Sequence, residues 1–113
     1  MMSFNFFKKD YEDLSPEAFK QQLESIPDVI LLDVRTPEEY ARDHISGAKL
    51  MNCYDSDFES RLDKMDREKT YLVYCHSGGR SSSVCNLMKQ KGFKTVYNLS
   101  GGIVAWRRVF PKD

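Results

Sequence analysis

Thr70-Tyr71-Leu72-Val73-Tyr74-Cys75-His76-Ser77-Gly78-Gly79-Arg80-Ser81 is the stretch that decides the fold. Its first five residues have high β-propensity and carry no charge, and they run straight into a thiol. Two glycines, an arginine and a run of serines follow. From Ser81 or Ser82 a helix is expected, with Val84, Leu87 and Met88 on one face. A strand without polar alternation is buried on both sides, which suits a parallel sheet covered by helices. In such sheets ligands sit at the carboxyl ends of the strands, where this glycine-containing loop begins.

Working outward, the same alternation repeats. Gly92 is placed to stop the helix, and Thr95-Val96-Tyr97-Asn98-Leu99 reads as the next strand. Ser100-Gly101-Gly102 turns into a last helix that carries Ile103 and Trp106 and ends near Pro111. Toward the N-terminus, Val29-Ile30-Leu31-Leu32-Asp33-Val34 is a second doubly buried strand. Thr36-Pro37-Glu38-Glu39 predicts a capping box with proline at the first helical position. Asp43-His44-Ile45-Ser46-Gly47 reads as a turn, and Ala48 to Met51 as a short strand. A helical pattern starts at Asp57-Phe58 and continues through Leu62 and Met65. Ser15-Pro16-Glu17 caps an earlier helix with Phe19 and Leu23 inward, ending at about Ser25. The first dozen residues, with Phe4, Phe6 and Phe7, are expected to supply a first strand, an arm toward a neighbour being the alternative. Strand-helix alternation of this kind predicts an α/β fold, with right-handed crossovers placing helices on both faces of a mainly parallel sheet.

The 113 residues fit one domain, 1–113. Hydrophobic residues at 41% and 14 aromatics (1 Trp, 6 Tyr, 7 Phe) supply a core and argue against disorder. Seventeen basic and seventeen acidic side chains cancel, so no basic footprint for nucleic acid or anionic membrane exists at the level of the whole chain. No apolar run approaches the roughly 20 residues that span a bilayer. Met1 to Lys9 does not follow the order of a secretory signal, and the expected location is the cytoplasm. Three cysteines, Cys53, Cys75 and Cys85, do not form a disulfide framework or show metal-ligand spacing, so neither a metal nor an organic cofactor is expected.

The chemistry concentrates on Cys75. Gly78 and Gly79 permit the positive-φ backbone that curls a loop around a small object. Successive amide N–H groups in a curled loop form a concave anion site, and a helix start adds a partial positive charge. Arg80 is expected to add a full one. Such surroundings can lower a cysteine pKa from about 8.5 into the range of about 3.5–7.5. His76 adjoins the thiol in sequence and is expected to point away from it, while His44 lies in a distant turn. A cysteine–histidine dyad is therefore not expected, and the cradle itself must activate the sulfur. No Walker loop occurs. Cys53 and Cys85 read as packing residues.

Five segments in this order resemble the single-domain rhodanese (thiosulfate sulfurtransferase-like) family. They are Leu14-Ser15-Pro16-Glu17, Leu32-Asp33-Val34-Arg35-Thr36-Pro37-Glu38-Glu39-Tyr40, His44-Ile45-Ser46-Gly47-Ala48, Tyr74 to Ser81, and Leu99-Ser100-Gly101-Gly102-Ile103-Val104-Ala105-Trp106. The resemblance implies a rhodanese-like, three-layer α/β fold with a five-stranded parallel sheet. It implies sulfur transfer from a small anionic donor such as thiosulfate to cyanide or a thiol, with a sulfur-carrier protein as another acceptor. By the same resemblance Cys75 is the nucleophile, and His76, Ser77, Gly78, Gly79, Arg80 and Ser81 form the substrate cradle. Asp33 and Arg35 support the pocket or, read structurally, form a buried ion pair. His44, Gly47, Gly101, Gly102 and Trp106 read as turn and core residues. Two other classes stay open: a cysteine phosphatase, whose loop would be C-x5-R where this one is C-x4-R, and a non-catalytic binding module.

Overall fold

Five strands form a single sheet in the computed structural model, which describes residues 9–113. The strands are β1 (Glu12–Leu14), β2 (Ile30–Asp33), β3 (Lys49–Leu50), β4 (Thr70–Tyr74) and β5 (Thr95–Leu99). Their order across the sheet is β1-β5-β4-β2-β3, and every pairing among them is parallel. The helices are α1 (Pro16–Ser25), α2 (Pro37–Arg42), α3 (Phe58–Asp63), α4 (Gly79–Gln90) and α5 (Gly102–Val109).

The central strand β4 shows why the fold has three layers. Successive side chains of a strand point to opposite faces. Tyr71 and Val73 enter one core, with Val84, Cys85 and Met88 of α4 and with Phe58 and Leu62 of α3. Leu72 and Tyr74 enter the other, with Phe19 of α1 and with Ile103 and Trp106 of α5. These four of the five β4 residues are fully buried, as an uncharged strand between two helical layers must be. Trp106 meets Phe19 edge to face at 6.0 Å, so its large ring is packing, as expected.

Local signals place the helix starts. Ser15 accepts from the Ala18 N–H at the head of α1, and Thr36 with Glu39 forms the full capping box of α2. Strands β2 and β3 are each one residue shorter at both ends than the expected Val29–Val34 and Ala48–Met51, and two helix boundaries also differ from expectation. Helix α4 begins at Gly79 rather than at Ser81 or Ser82, because Gly78 (φ 112°) turns the chain sharply enough to start the helix earlier. Helix α3 ends at Asp63, short of Met65; the Lys64 and Met65 amides bond three residues back, to Arg61 and Leu62, tightening the last turn. Strand β1 pairs with β5; the strand expected from the first dozen residues rests on Phe4, Phe6 and Phe7, which lie outside the described residues.

Candidate active site

The β4 strand ends at Tyr74, and Cys75 is the first residue beyond it, at the carboxyl edge of the sheet. The thiol is buried, with the residue only 1% exposed. It is not enclosed by hydrocarbon alone. The Gly78 N–H donates to Cys75 Sγ at 3.1 Å, and the Ser81 hydroxyl donates to the same sulfur at 3.2 Å. Burial alone would push the thiol pKa up. Hydrogen bonds from the Ser81 hydroxyl and from the amides of Ser81, Gly78 and Ser77 outweigh it and hold the pKa below its ordinary value. The other two thiols go the opposite way. Burial raises the pKa of Cys53, which is half-buried, and that of Cys85, which is fully buried on the core face of α4.

The loop is hung from the last helix. The α5 amides of Ile103 and Val104 donate to the carbonyls of Cys75 (3.0 Å) and His76 (3.2 Å). These are first-turn amides of α5, which have no partner inside their own helix. A Cβ at Gly102 would stand 2.2 Å from the His76 carbonyl oxygen, so only glycine lets α5 approach this closely, and its φ of +62° also favours glycine. The family-like pair Gly101-Gly102 is thus part of the loop's support as well as a turn.

A second support lies under the strand ends. Asp33 and Arg35, both buried, pair through Nε (2.9 Å) and Nη2 (2.7 Å) of the guanidinium, and the Arg35 amide also donates to Asp33. The Tyr74 hydroxyl donates to Asp33 Oδ2 at 2.6 Å and accepts from the Ile45 amide at 3.0 Å. Arg35 Nη2 also reaches the Asp43 carbonyl at 2.6 Å. This network matches the structural reading of Asp33 and Arg35, and it ties the ends of β2 and β4 to the turn at 43–47. His44 takes no place near the thiol: its ring stacks on Tyr40 at 3.8 Å, with Nδ1 2.9 Å from the Tyr40 carbonyl.

Arg80 is placed differently from the simple expectation of a free cation. Its Nη1 donates to Glu39 Oε1 at 2.8 Å and its Nη2 to Glu39 Oε2 at 2.9 Å. The fork leaves three guanidinium N–H bonds for other partners. Glu39 was legible only as a helix cap. Its grip on Arg80, 41 residues away, has no local signal. The exposed His76 lines a cleft of about 380 Å³ with Arg35, Arg42, Arg80 and Arg107.

An all-parallel α/β domain that presents an acidified thiol in an amide-lined loop at the sheet's carboxyl edge defines a narrow class. The chain belongs to the family of rhodanese-like domains, whose family model matches residues 15–109. A sulfurtransferase of Allochromatium vinosum is 34% identical over 96 residues, covering 85% of this chain and 88% of that protein. The thiosulfate sulfurtransferase GlpE of Pseudomonas paraeruginosa is 34% identical over 104 residues, 91% of this chain and 90% of that one. The crystal structure of a rhodanese-like domain protein from Staphylococcus aureus matches with a TM-score of 0.73 at 28% identity, covering 84% of this chain and 90% of the other. The chain is thus a rhodanese-like domain with relatives that are named sulfurtransferases.

Proposed function

We propose that the protein moves a sulfane sulfur from a small anionic donor such as thiosulfate to a thiophilic acceptor, through a persulfide on Cys75. The Cys75 thiolate attacks the outer sulfur of thiosulfate. A bond forms between the two sulfurs, the donor's S–S bond breaks, and sulfite leaves with the electron pair. Cyanide, a small thiolate or the thiol of a sulfur-carrier protein then attacks the terminal sulfur, and the Cys75 thiolate departs with the electrons of the bond it loses. No net proton transfer is needed when both nucleophiles enter as anions, which fits a site without a histidine base.

The observation that carries this reading is the Cys75 sulfur hydrogen-bonded at 3.1 Å by the Gly78 amide and at 3.2 Å by the Ser81 hydroxyl. Donors that stabilise a thiolate can also hold the negative terminal sulfur that replaces it. His76, Ser77, Gly78, Gly79, Arg80 and Ser81 form the wall of that cradle, and Asp33 with Arg35 braces it from below. Intact mass after incubation with thiosulfate should rise by one sulfur, about 32 Da, and return on adding cyanide or a reductant. Cys75→Ser should take up none while keeping its fold by circular dichroism. Phosphate release from an aryl ester without a sulfur adduct would point to a phosphatase instead, and neither product would leave a binding module.

A further inference from the structure

Three of the arginines at the mouth of the loop are ion-paired, and one pair, Arg80 with Glu39, joins two helices. Glu39 stands at the third position of α2, where Oε1 also accepts from the Thr36 amide (3.0 Å) and hydroxyl (3.1 Å). The capping box therefore holds the carboxylate where Arg80, from the first turn of α4, meets it. Both side chains are about three-quarters buried, at 22% and 24% exposure, so their fork is only partly screened by water. The Arg80 guanidinium lies 5.8 Å from the Tyr54 ring centroid. The thiolate draws none of its hydrogen bonds from Arg80; its donors are the neutral amides and Ser81.

We propose that Glu39 is a positioning residue that cancels the charge of Arg80 beside Cys75, so that the cradle holds sulfur by neutral dipoles and discriminates little by donor charge. The proposal rests on Cys75 being the nucleophile and adds what sets the donor preference. An unopposed guanidinium here would favour dianions such as thiosulfate over neutral or singly charged persulfides. With Glu39 in place, a low-molecular-weight or protein-bound persulfide becomes a competitive donor.

The other groups facing the site do not upset this balance. Arg35 is paired with Asp33, and Arg107 is forked onto Asp43 at 2.8 and 2.9 Å and bound to Asp113 at 2.7 Å. Cys53 and Tyr54 flank Arg80 on the other side of the loop. Arg42 and His76 stand at the exposed rim of the cleft, where solvent screens them.

The test is the pH profile of Cys75 alkylation, read beside donor kinetics. Glu39→Gln keeps one acceptor oxygen for Thr36 and for Arg80 Nη1, and removes the charge together with the acceptor for Arg80 Nη2. Its alkylation midpoint should fall by about half a unit, as an uncompensated cation nearby favours a thiolate. Its kcat/KM for thiosulfate should rise about threefold to tenfold at low salt, with the gain collapsing at high salt. Gains with a neutral persulfide donor should be absent. Arg80→Gln, which strands the carboxylate, should move the midpoint upward, and the double variant should return close to wild type. A midpoint that stays put or moves in the same direction in both single variants would overturn the proposal. So would a thiosulfate gain matched by the neutral donor. Uptake of one sulfur by the wild-type protein tests the nucleophile separately, so the two ideas can fail independently.

Discussion

Ser81 illustrates how much one neutral hydroxyl can do for a buried sulfur. It sits in the first turn of α4, fully buried, and donates to Cys75 Sγ while lying within 3.3 Å of the Gly78 carbonyl. Charge-assisted hydrogen bonds contribute about 1.5–3 kcal/mol, and one pKa unit corresponds to about 1.4 kcal/mol. Ser81→Ala should therefore raise the Cys75 midpoint by about one unit and slow alkylation by up to about tenfold at a pH below the wild-type midpoint. Wild-type reactivity should rise with pH as the thiol ionises, and should disappear as pH falls through a midpoint below that of an ordinary cysteine. Peptide mapping of the alkylated protein should find label on Cys75 first, since burial pushes Cys53 and Cys85 the other way. The candidate nucleophile was legible in the sequence because the donors to its sulfur are local. Gly78 and Ser81 lie within six residues of it. Glu39 was only half legible: the capping box is a four-residue pattern, whereas the fork onto Arg80 depends on how α2 and α4 pack. Tyr74 reads as one more strand aromatic, and nothing nearby announces that its hydroxyl joins Asp33 to the Ile45 amide.

At the scale of elements, the site is where β4, α4 and α5 converge. Strand β4 delivers the thiol, α4 delivers Ser81 and Arg80, and α5 holds the loop's first two carbonyls. The close approach at Gly102 makes that last contact sensitive to a single methyl group. Gly102→Ala should cost about 2 kcal/mol or more, from overpacking and a left-handed backbone together, measurable as a lower denaturation midpoint in urea. It should also reduce sulfur uptake, since the His76 carbonyl it strikes belongs to the cradle's backbone. Strands β4 and β5 match their expected limits because β-rich runs end at a thiol and at a Ser-Gly-Gly turn. The start of α4 was misplaced because serines are common helix caps, while here a positive-φ glycine does the turning. The stop of α3 was missed because apolar spacing persists through Met65 after the helical hydrogen bonds have tightened. Side-chain periodicity records what is buried, and Met65 still packs on the core without being helical.

For the whole molecule, the order β1-β5-β4-β2-β3 places the thiol-bearing strand at the centre, flanked by strands on both sides and helices above and below. The alternation of apolar runs with amphipathic stretches foretold the layers. It did not foretell which strands would be neighbours, because register is decided by contacts between residues far apart in sequence. The two apolar faces of β4 make the sheet the most deeply buried part of the chain, whereas α5 lies outside it and carries the loop. Its amides at Ile103 and Val104 hold Cys75 and His76, 28 residues back along the chain in each case. Heating should expose this division. Fraying of α5 would slacken the Cys75 loop before the strands separate, so loss of sulfur uptake on heating should precede melting of the β-structure by several degrees, and early cooling should restore it.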